Sequence, residues 1–148
     1  MNVLCNNKKS SFKYSFVKKI EAGLVLSGWE VKSLKDGNGQ ISESYISIKK
    51  GEIFLCNAHI KTINSKDGIS IQNPTNKRKL LLNRKEINML SGQVSQKGLT
   101  IVPIKLYTRK GIIKLEIALA KGKKLFDKRQ DQKNKDWARQ KDRLNKLN

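Results

Sequence analysis

The chain has 148 residues, of which 37% are apolar, so it is large enough for one folded domain with a buried core, and wholesale disorder is excluded. Its 32 basic residues outnumber 12 acidic ones, and the resulting net charge of +20 attracts polyanions such as nucleic acid. Two cysteines are too few for a disulfide framework, and no apolar run is long enough for a signal peptide or membrane span. We therefore expect a cytoplasmic protein without a membrane partner.

The first predicted elements are a strand and a short helix. A strand system is predicted over about 14–26, with Gly23 as a candidate bend. Residues 29–35 follow, with Val31 and Leu34 on one side, and this spacing predicts a short helix.

A β-hairpin is predicted next. Ile46 and Ile48 alternate before a Lys-Gly pair at 50–51, and apolar residues alternate again after it. The apolar residues of the second strand are Phe54, Cys56, Ala58 and Ile60.

A second helix is predicted from a capping signal. Asn83 stands three residues before Glu86, as in a capping box, and Gly98 provides the stop. The apolar residues between them recur at helical spacing: Ile87, Leu90 and Val94.

The clearest alternation lies near the end of the folded part. Four apolar residues between Ile113 and Leu119 share one strand face, and 102–106 alternate likewise before a Gly-containing connection at 108–111. These short strands and two helices predict a mainly β fold, an OB-like Greek-key closed antiparallel barrel, because closure removes exposed sheet edges.

Composition divides the chain after Ala120. Residues 1–120 hold most of the apolar residues and are predicted to form the barrel domain, whereas 121–148 carry 11 bases and 4 acids and form a basic tail. Trp137, Leu144 and Leu147 make a narrow apolar stripe in the tail. Such a stripe is too poor for a stable isolated helix, so we expect a tail that is flexible when free and orders on contact with a charged surface.

No residue pattern indicates an enzyme, a metal site or a cofactor. His59 is expected to share a strand face with Ile53 and Leu55, where it is interpreted as structural. The acids are dispersed without the spacing of an acid/base pair or a two-metal centre, although a metal-dependent nuclease stays open as an alternative.

Clustered basic residues point instead to RNA. Because the clusters are separated by folded elements, they are suited to tracking a phosphate backbone over a broad surface. They lie at 7–9, 77–79, 84–85, 121–124 and 128–129. Phe126 stands between two basic pairs, an arrangement in which charge holds the backbone while the ring stacks on a base.

Several motifs together resemble the bacterial SsrA-binding protein (small protein B) family over nearly the whole chain. They are Asn-Lys-Lys at 7–9, Glu-Ala-Gly at 21–23, Gly-Trp-Glu-Val-Lys-Ser-Leu at 28–34, Lys-Leu-Leu-Leu-Asn at 79–83, Gly-Leu-Thr-Ile-Val-Pro at 98–103, Lys-Gly-Lys-Lys at 121–124 and Asp-Lys-Arg at 127–129. The resemblance implies an OB-type barrel with short helices and a basic tail.

The resemblance also implies an adaptor rather than a catalyst. In this family the barrel binds the tRNA-like domain of transfer-messenger RNA, and the complex enters stalled ribosomes for trans-translation. The tail is understood to lie as a helix in the empty messenger channel of the small subunit, beside its rRNA and the decoding centre. We expect a monomer, and the alternative from another class is a ribosomal protein that binds ribosomal RNA through a basic extension.

The resemblance also implies site residues, which are assigned one by one to the positions of this chain that match the family's motifs. The positions that match RNA-binding ones are Asn7, Lys8, Lys9, Glu21, Leu81, Gly122, Lys123, Lys124, Asp127, Lys128 and Arg129. Phe126 matches the ring near the decoding centre, and the tail residues for the channel are Trp137, Arg139, Lys141, Arg143 and Leu144. The chain departs from the family with Ser-Ser-Phe at 10–12, where Ala-Arg-His is common, and with Lys35, where Arg is usual.

Glu21 is unusual at a site for a polyanion. Its carboxylate is expected to orient neighbouring Lys or Arg donors, or to accept a hydrogen bond from a base amino group or ribose hydroxyl. A structural ion pair on the barrel surface is the alternative.

Overall fold

A computed structural model describes residues 2–63 and 72–123. Nine strands and three helices form within these ranges: β1 (Asn2–Asn6), α1 (Lys8–Lys13), β2 (Tyr14–Leu24), α2 (Gly28–Lys35), β3 (Gly39–Gln40), β4 (Tyr45–Lys49), β5 (Glu52–Cys56), β6 (His59–Ile60), β7 (Arg78–Leu81), α3 (Arg84–Lys97), β8 (Thr100–Arg109) and β9 (Ile112–Gly122). The predicted mainly β fold is confirmed. Among the described helices, none is long and apolar enough to cross a membrane.

Seven strands form one antiparallel sheet in the order β1-β8-β9-β2-β7-β5-β4. The short strands β3 and β6 pair separately. β2, β9 and β8 are the longest strands, and β2 carries Glu21 of the candidate site. β9 extends to Gly122, two residues beyond the composition break at Ala120.

The sheet is open among the described strands, with β1 and β4 at its edges, whereas the sequence predicted a closed barrel. The N-terminal segment occupies part of the β8 edge. Asn7 donates its backbone N–H to the Ile104 carbonyl at 2.7 Å and its side-chain amide to the Pro103 carbonyl at 2.9 Å. Asn7 thus occupies the carbonyls of Pro103 and Ile104, and Pro103 has no N–H. This part of β8 therefore has few backbone hydrogen-bonding groups left for pairing with another strand.

Both predicted hairpins are confirmed, and their turns have the same backbone geometry. Lys50 and Gly51 have φ values of 53° and 75°, and Lys110 and Gly111 have 52° and 78°. Two central residues at positive φ match the right-handed twist of the flanking strands.

Both predicted helices are also confirmed. At the start of α3, the Asn83 side chain accepts a hydrogen bond from the Glu86 N–H at 2.8 Å, and Gly98 ends the helix with a φ of 65°. At the start of α2, the Glu30 carboxylate accepts from the Ser27 N–H at 2.8 Å.

The N-terminal elements β1 and α1 were not predicted. Apolar residues show no helical spacing over α1, so periodicity gives no signal there. The helix is held by local bonds, including one from the Ser10 hydroxyl to the Asn7 carbonyl at 2.7 Å.

The principal core lies on the inner face of the sheet and under α2 and α3. It includes the alternating residues of β9, as predicted, together with apolar residues of β5 and the helices. A second, smaller cluster lies on the outer face and consists of Val102, Ile104, Ala118 and Ala120, with Tyr14 and Phe16 packed against it.

One strand prediction needs correction. The second strand of the first hairpin ends at Cys56, because Asn57 has a φ of 61° and breaks the alternation. His59 is consequently exposed, whereas Ile53 and Leu55 are buried. In β2 the pairing with β9 shifts register between residues 16 and 18, and the bend at Gly23 stays a prediction.

Candidate nucleic-acid interface

Glu21 and Leu81 lie along one surface cleft of about 550 Å³, which we call the β2–β7 cleft. Its lining also includes Gly23, Lys79 and Lys114. Leu81 is 53% exposed, a high fraction for a leucine in a sheet. The structure thus brings together two residues that are 60 positions apart and that the sequence marked separately.

Gly23 makes the close approach of β2 and β7 possible. It pairs with Leu81, and a Cβ atom at Gly23 would lie 3.2 Å from the Leu81 Cβ. A side chain there would push Leu81 away. The Glu-Ala-Gly motif therefore shapes the cleft as well as supplying its carboxylate.

The Glu21 carboxylate has two partners that sequence reasoning missed. The Tyr107 hydroxyl donates a hydrogen bond to Glu21 Oε2, and the same oxygen lies 3.0 Å from Arg109 Nη1. The Arg109 side chain is 57% exposed, and that of Glu21 is 33% exposed. Burial and the carboxylate acceptor raise the pKa of Tyr107, so its phenol stays protonated as a donor.

Two carboxylates and a lysine lie side by side across the sheet at this position. Glu21 lies directly opposite Glu116 on β9, and Glu116 lies opposite Lys105 on β8. The ammonium of Lys105 and the guanidinium of Arg109 lie 5.7 and 5.9 Å from the centre of the Tyr107 ring. Neighbouring cations offset the repulsion between two facing carboxylates.

The second group of site residues lies at the other end of β2. Tyr14 pairs with Gly122, and the Lys123 N–H donates to the Lys13 carbonyl at 2.9 Å. The end of β9 therefore lies beside α1, which carries Lys8 and Lys9. The structure brings the 7–9 and 122–123 segments together into one basic surface, which we call the α1–β9 end.

Individual residues at the α1–β9 end differ in their accessibility. Asn7 is buried and binds the β8 backbone, and its Oδ1 has no hydrogen-bond partner within residues 2–63 and 72–123. Lys9 Nζ lies 2.9 Å from a carboxylate oxygen of Glu43, and both side chains are exposed. The hydrogen bond from Lys9 lowers the pKa of Glu43.

The two groups are well separated along the same strand. Tyr14 and Glu21 are seven residues apart on β2, which corresponds to about 23 Å at 3.3 Å per residue. The geometry describes an extended interface rather than a single pocket. Such a surface suits a long polyanion better than a small ligand.

Arg78 does not belong to the exposed basic surface, although the sequence grouped it with its neighbours at 77–79. Its Nε lies 2.6 Å from Glu30 Oε2, and both side chains are almost fully buried. Lys77 and Lys79 are exposed, and the Lys77 ammonium lies 5.1 Å from the centre of the Phe54 ring. Glu30, which the sequence showed as a dispersed acid and as part of the motif at 28–34, is therefore structural.

Metal-ligating residues are not clustered in the described ranges, where no group of three or more His, Cys, Asp or Glu side chains converges.

The remaining predicted site residues lie outside the described residues: Lys124, Phe126, Asp127, Lys128, Arg129, Trp137, Arg139, Lys141, Arg143 and Leu144.

Comparison with known proteins gives concordant matches. The family model described as SmpB protein matches residues 4–147. An SsrA-binding protein of Ruthia magnifica subsp. Calyptogena magnifica is 52% identical over 143 residues, covering 97% of this chain and 87% of that protein. An SsrA-binding protein of Vesicomyosocius okutanii subsp. Calyptogena okutanii is 51% identical over 143 residues, covering 97% and 89%.

A solved structure agrees with these relatives. A chain from the structure described as "tmRNA-SmpB: a journey to the center of the bacterial ribosome" superposes with a TM-score of 0.67 and 38% identity. The match covers 84% of this chain and 87% of that one. Fold, sequence and site motifs therefore agree, and the chain belongs to the SmpB protein family.

Proposed function

We propose that this protein is an RNA-binding adaptor that binds the tRNA-like domain of transfer-messenger RNA and delivers it to stalled ribosomes for trans-translation. The observation that carries the proposal is the family match over residues 4–147, supported by the fold of the tmRNA-SmpB chain. The protein would act in the cytoplasm, where the ribosomes that it serves are found. The proposed activity is RNA binding, and no catalytic step is assigned to any residue.

The two surfaces on β2 are proposed as the barrel's RNA contacts. In the β2–β7 cleft, Leu81 offers an exposed apolar side chain to a ribose or base, and Glu21 offers a carboxylate acceptor. At the α1–β9 end, Lys8, Lys9 and Lys123 offer cations to the phosphate backbone. Asn7 supports this end by holding the start of α1 on β8, and Gly122 lies opposite Tyr14 at the end of β9.

We also propose that the curved sheet is an OB-like barrel that side-chain packing closes between β4 and β8. Ile46 and Ile48 of β4 face Ile101 of β8 across a gap of about 240 Å³. In a closed barrel, β4 would form the last hydrogen-bonded ladder with the part of β8 that β1 leaves unpaired. Apolar residues on both sides favour closure by packing.

The basic tail is proposed as the ribosome-contacting part. Residues 121–148 carry 11 bases and 4 acids, a composition suited to the rRNA walls of an empty messenger channel. Lys124, Asp127, Lys128 and Arg129 would continue the RNA contacts beyond the barrel, and Phe126 would stack near the decoding centre. The segment that contains Trp137, Arg139, Lys141, Arg143 and Leu144 would become helical in the channel.

Truncation after Gln130 tests this division of labour. The shortened protein is expected to fold and to bind the tRNA-like domain with modestly reduced affinity, because the elements of the barrel lie within residues 2–123. Peptide-tag addition on ribosomes stalled at a message's end is expected to fail. Tagging at the full-length rate would eliminate the tail's role, and loss of RNA binding would assign the tail to the RNA-binding surface instead.

A further inference from the structure

We infer that Arg109 is a phosphate-binding residue for the tRNA-like domain, and that Glu21 and Tyr107 position its guanidinium. The inference rests on the proposed function and adds to it a contact that lies outside the motifs identified in the sequence. It also identifies Arg109 as the donor that Glu21 orients, in addition to the place of Glu21 in the lining of the cleft.

The side chains of Arg109 and Tyr107 reach Glu21 across an intervening strand. Arg109 and Tyr107 are on β8, Glu21 is on β2, and β9 lies between these strands in the sheet. Neighbouring strands are about 4.8 Å apart, so both side chains extend across the outer surface of β9 to reach the same carboxylate oxygen. Each is thereby held flat on the sheet.

Solvent exposure increases from Tyr107 through Glu21 to Arg109. Tyr107 is buried, the Glu21 side chain is one-third exposed, and the Arg109 side chain is more than half exposed. A buried hydroxyl thus holds a partly exposed carboxylate, and the carboxylate holds an exposed guanidinium. The Arg109 guanidinium is therefore held in place by buried and partly buried groups while its free donors face solvent, as expected for a preorganised binding group.

The Arg109 guanidinium keeps donors for a phosphate after it has bound Glu21. Arginine has five N–H donors in a planar fork, and the 3.0 Å contact with Glu21 is made by Nη1. Contact with the Tyr107 ring restricts the plane of the fork further. A fork fixed in this way loses little conformational entropy when its remaining donors bind two phosphate oxygens.

The arrangement also explains how an acidic residue contributes to binding a polyanion. Glu21 and Arg109 together carry no net charge, so the pair adds little to general attraction. It adds a donor at a defined position, which sets the register of the RNA on the sheet. Its loss should therefore weaken the cognate complex more than a non-cognate one.

The test compares two neighbouring cations. Arg109→Gln and Lys110→Gln each remove one positive charge, but Lys110 is in the β-turn at a φ of 52° and belongs to neither surface of the site. Binding of the full-length variants to the transcribed tRNA-like domain, and to an RNA duplex of equal length, would be measured over a series of salt concentrations.

Arg109→Gln is expected to weaken binding to the tRNA-like domain about tenfold and to lower the slope of log affinity against log salt by about 1, as expected for one lost phosphate contact. Lys110→Gln is expected to change affinity by less than about twofold. Equal effects of the two substitutions, or an unchanged slope for Arg109→Gln, would overturn the phosphate assignment.

Tyr107→Phe tests the positioning role, because it removes only the hydroxyl. We expect about threefold weaker binding in the wild-type background and no further loss in the Arg109→Gln background. A loss of equal size in both backgrounds would assign Tyr107 a general structural role and overturn the inference. A wild-type protein that does not prefer the tRNA-like domain over the duplex would instead refute the proposed function itself.

Discussion

Removal of either partner of the buried Arg78–Glu30 ion pair is expected to destabilise the fold severely. The side chains of Arg78 and Glu30 are 1% and 4% exposed, and their closest atoms are 2.6 Å apart. Arg78 also donates to the carbonyls of Ala58 and Pro74, while Glu30 accepts from the Ser27 N–H. The pair therefore ties α2 and β7 to two connecting segments.

The expected loss in the free energy of unfolding depends on which buried groups each substitution leaves without a partner. Arg78→Met leaves a buried carboxylate and two carbonyls without this donor, and Glu30→Gln leaves a buried guanidinium without its counter-charge. Breaking a buried pair in this way costs about 3–5 kcal/mol, a large part of the 5–15 kcal/mol that typical domains have in total. The double variant is expected to lose at least about 2 kcal/mol less than the sum of the single losses, since no lone charge remains.

Urea unfolding followed by far-ultraviolet circular dichroism measures these losses. The matched control is Lys79→Met, the next residue on β7, whose ion pair with Glu52 spans 3.5 Å between half-exposed side chains. That substitution is expected to change the free energy of unfolding by less than about 1 kcal/mol. Losses below about 1.5 kcal/mol for both buried single variants, or additive losses in the double variant, would refute the reasoning.

Three further predictions concern binding, pH and the first hairpin. Log affinity for the tRNA-like domain should fall linearly with log salt, and a flat dependence in a filter-binding titration would contradict an electrostatic interface. Burial raises the pKa of the Cys5 thiol from 9.0 to about 11, so the unfolded chain releases this proton first as pH rises. The free energy of unfolding should therefore fall more steeply from pH 9 to 11 in the wild type than in Cys5→Ala, and parallel curves from urea titrations would exclude this linkage. Lys50→Asn should stabilise the protein by about 0.5 kcal/mol in thermal melts, because asparagine tolerates positive φ better than lysine; a lower melting temperature would count against this account of the turn.

The sequence predicted those features that depend on neighbouring residues. Alternation places Ile113, Leu115, Ile117 and Leu119 on one face of a strand, and the structure buries all four. The Lys-Gly turns and the capped α3 are equally local, because their geometry is decided by the preferences of a few consecutive residues. The site motifs containing Glu21 and Leu81 were found by resemblance, without any knowledge of their shared cleft.

Only the tertiary structure decided which distant charges meet. Arg78 follows Glu30 by 48 residues, and Tyr107 follows Glu21 by 86, so no pattern along the chain shows that one pair is buried and the other supports an exposed arginine. The hydrogen bonds of Asn7 to the β8 backbone are also a tertiary outcome, because Asn7 and Pro103 are 96 positions apart in the sequence. Local conformational preference determines strands, turns and caps, whereas the packing of distant segments determines which charged side chains are buried in ion pairs and which stay exposed.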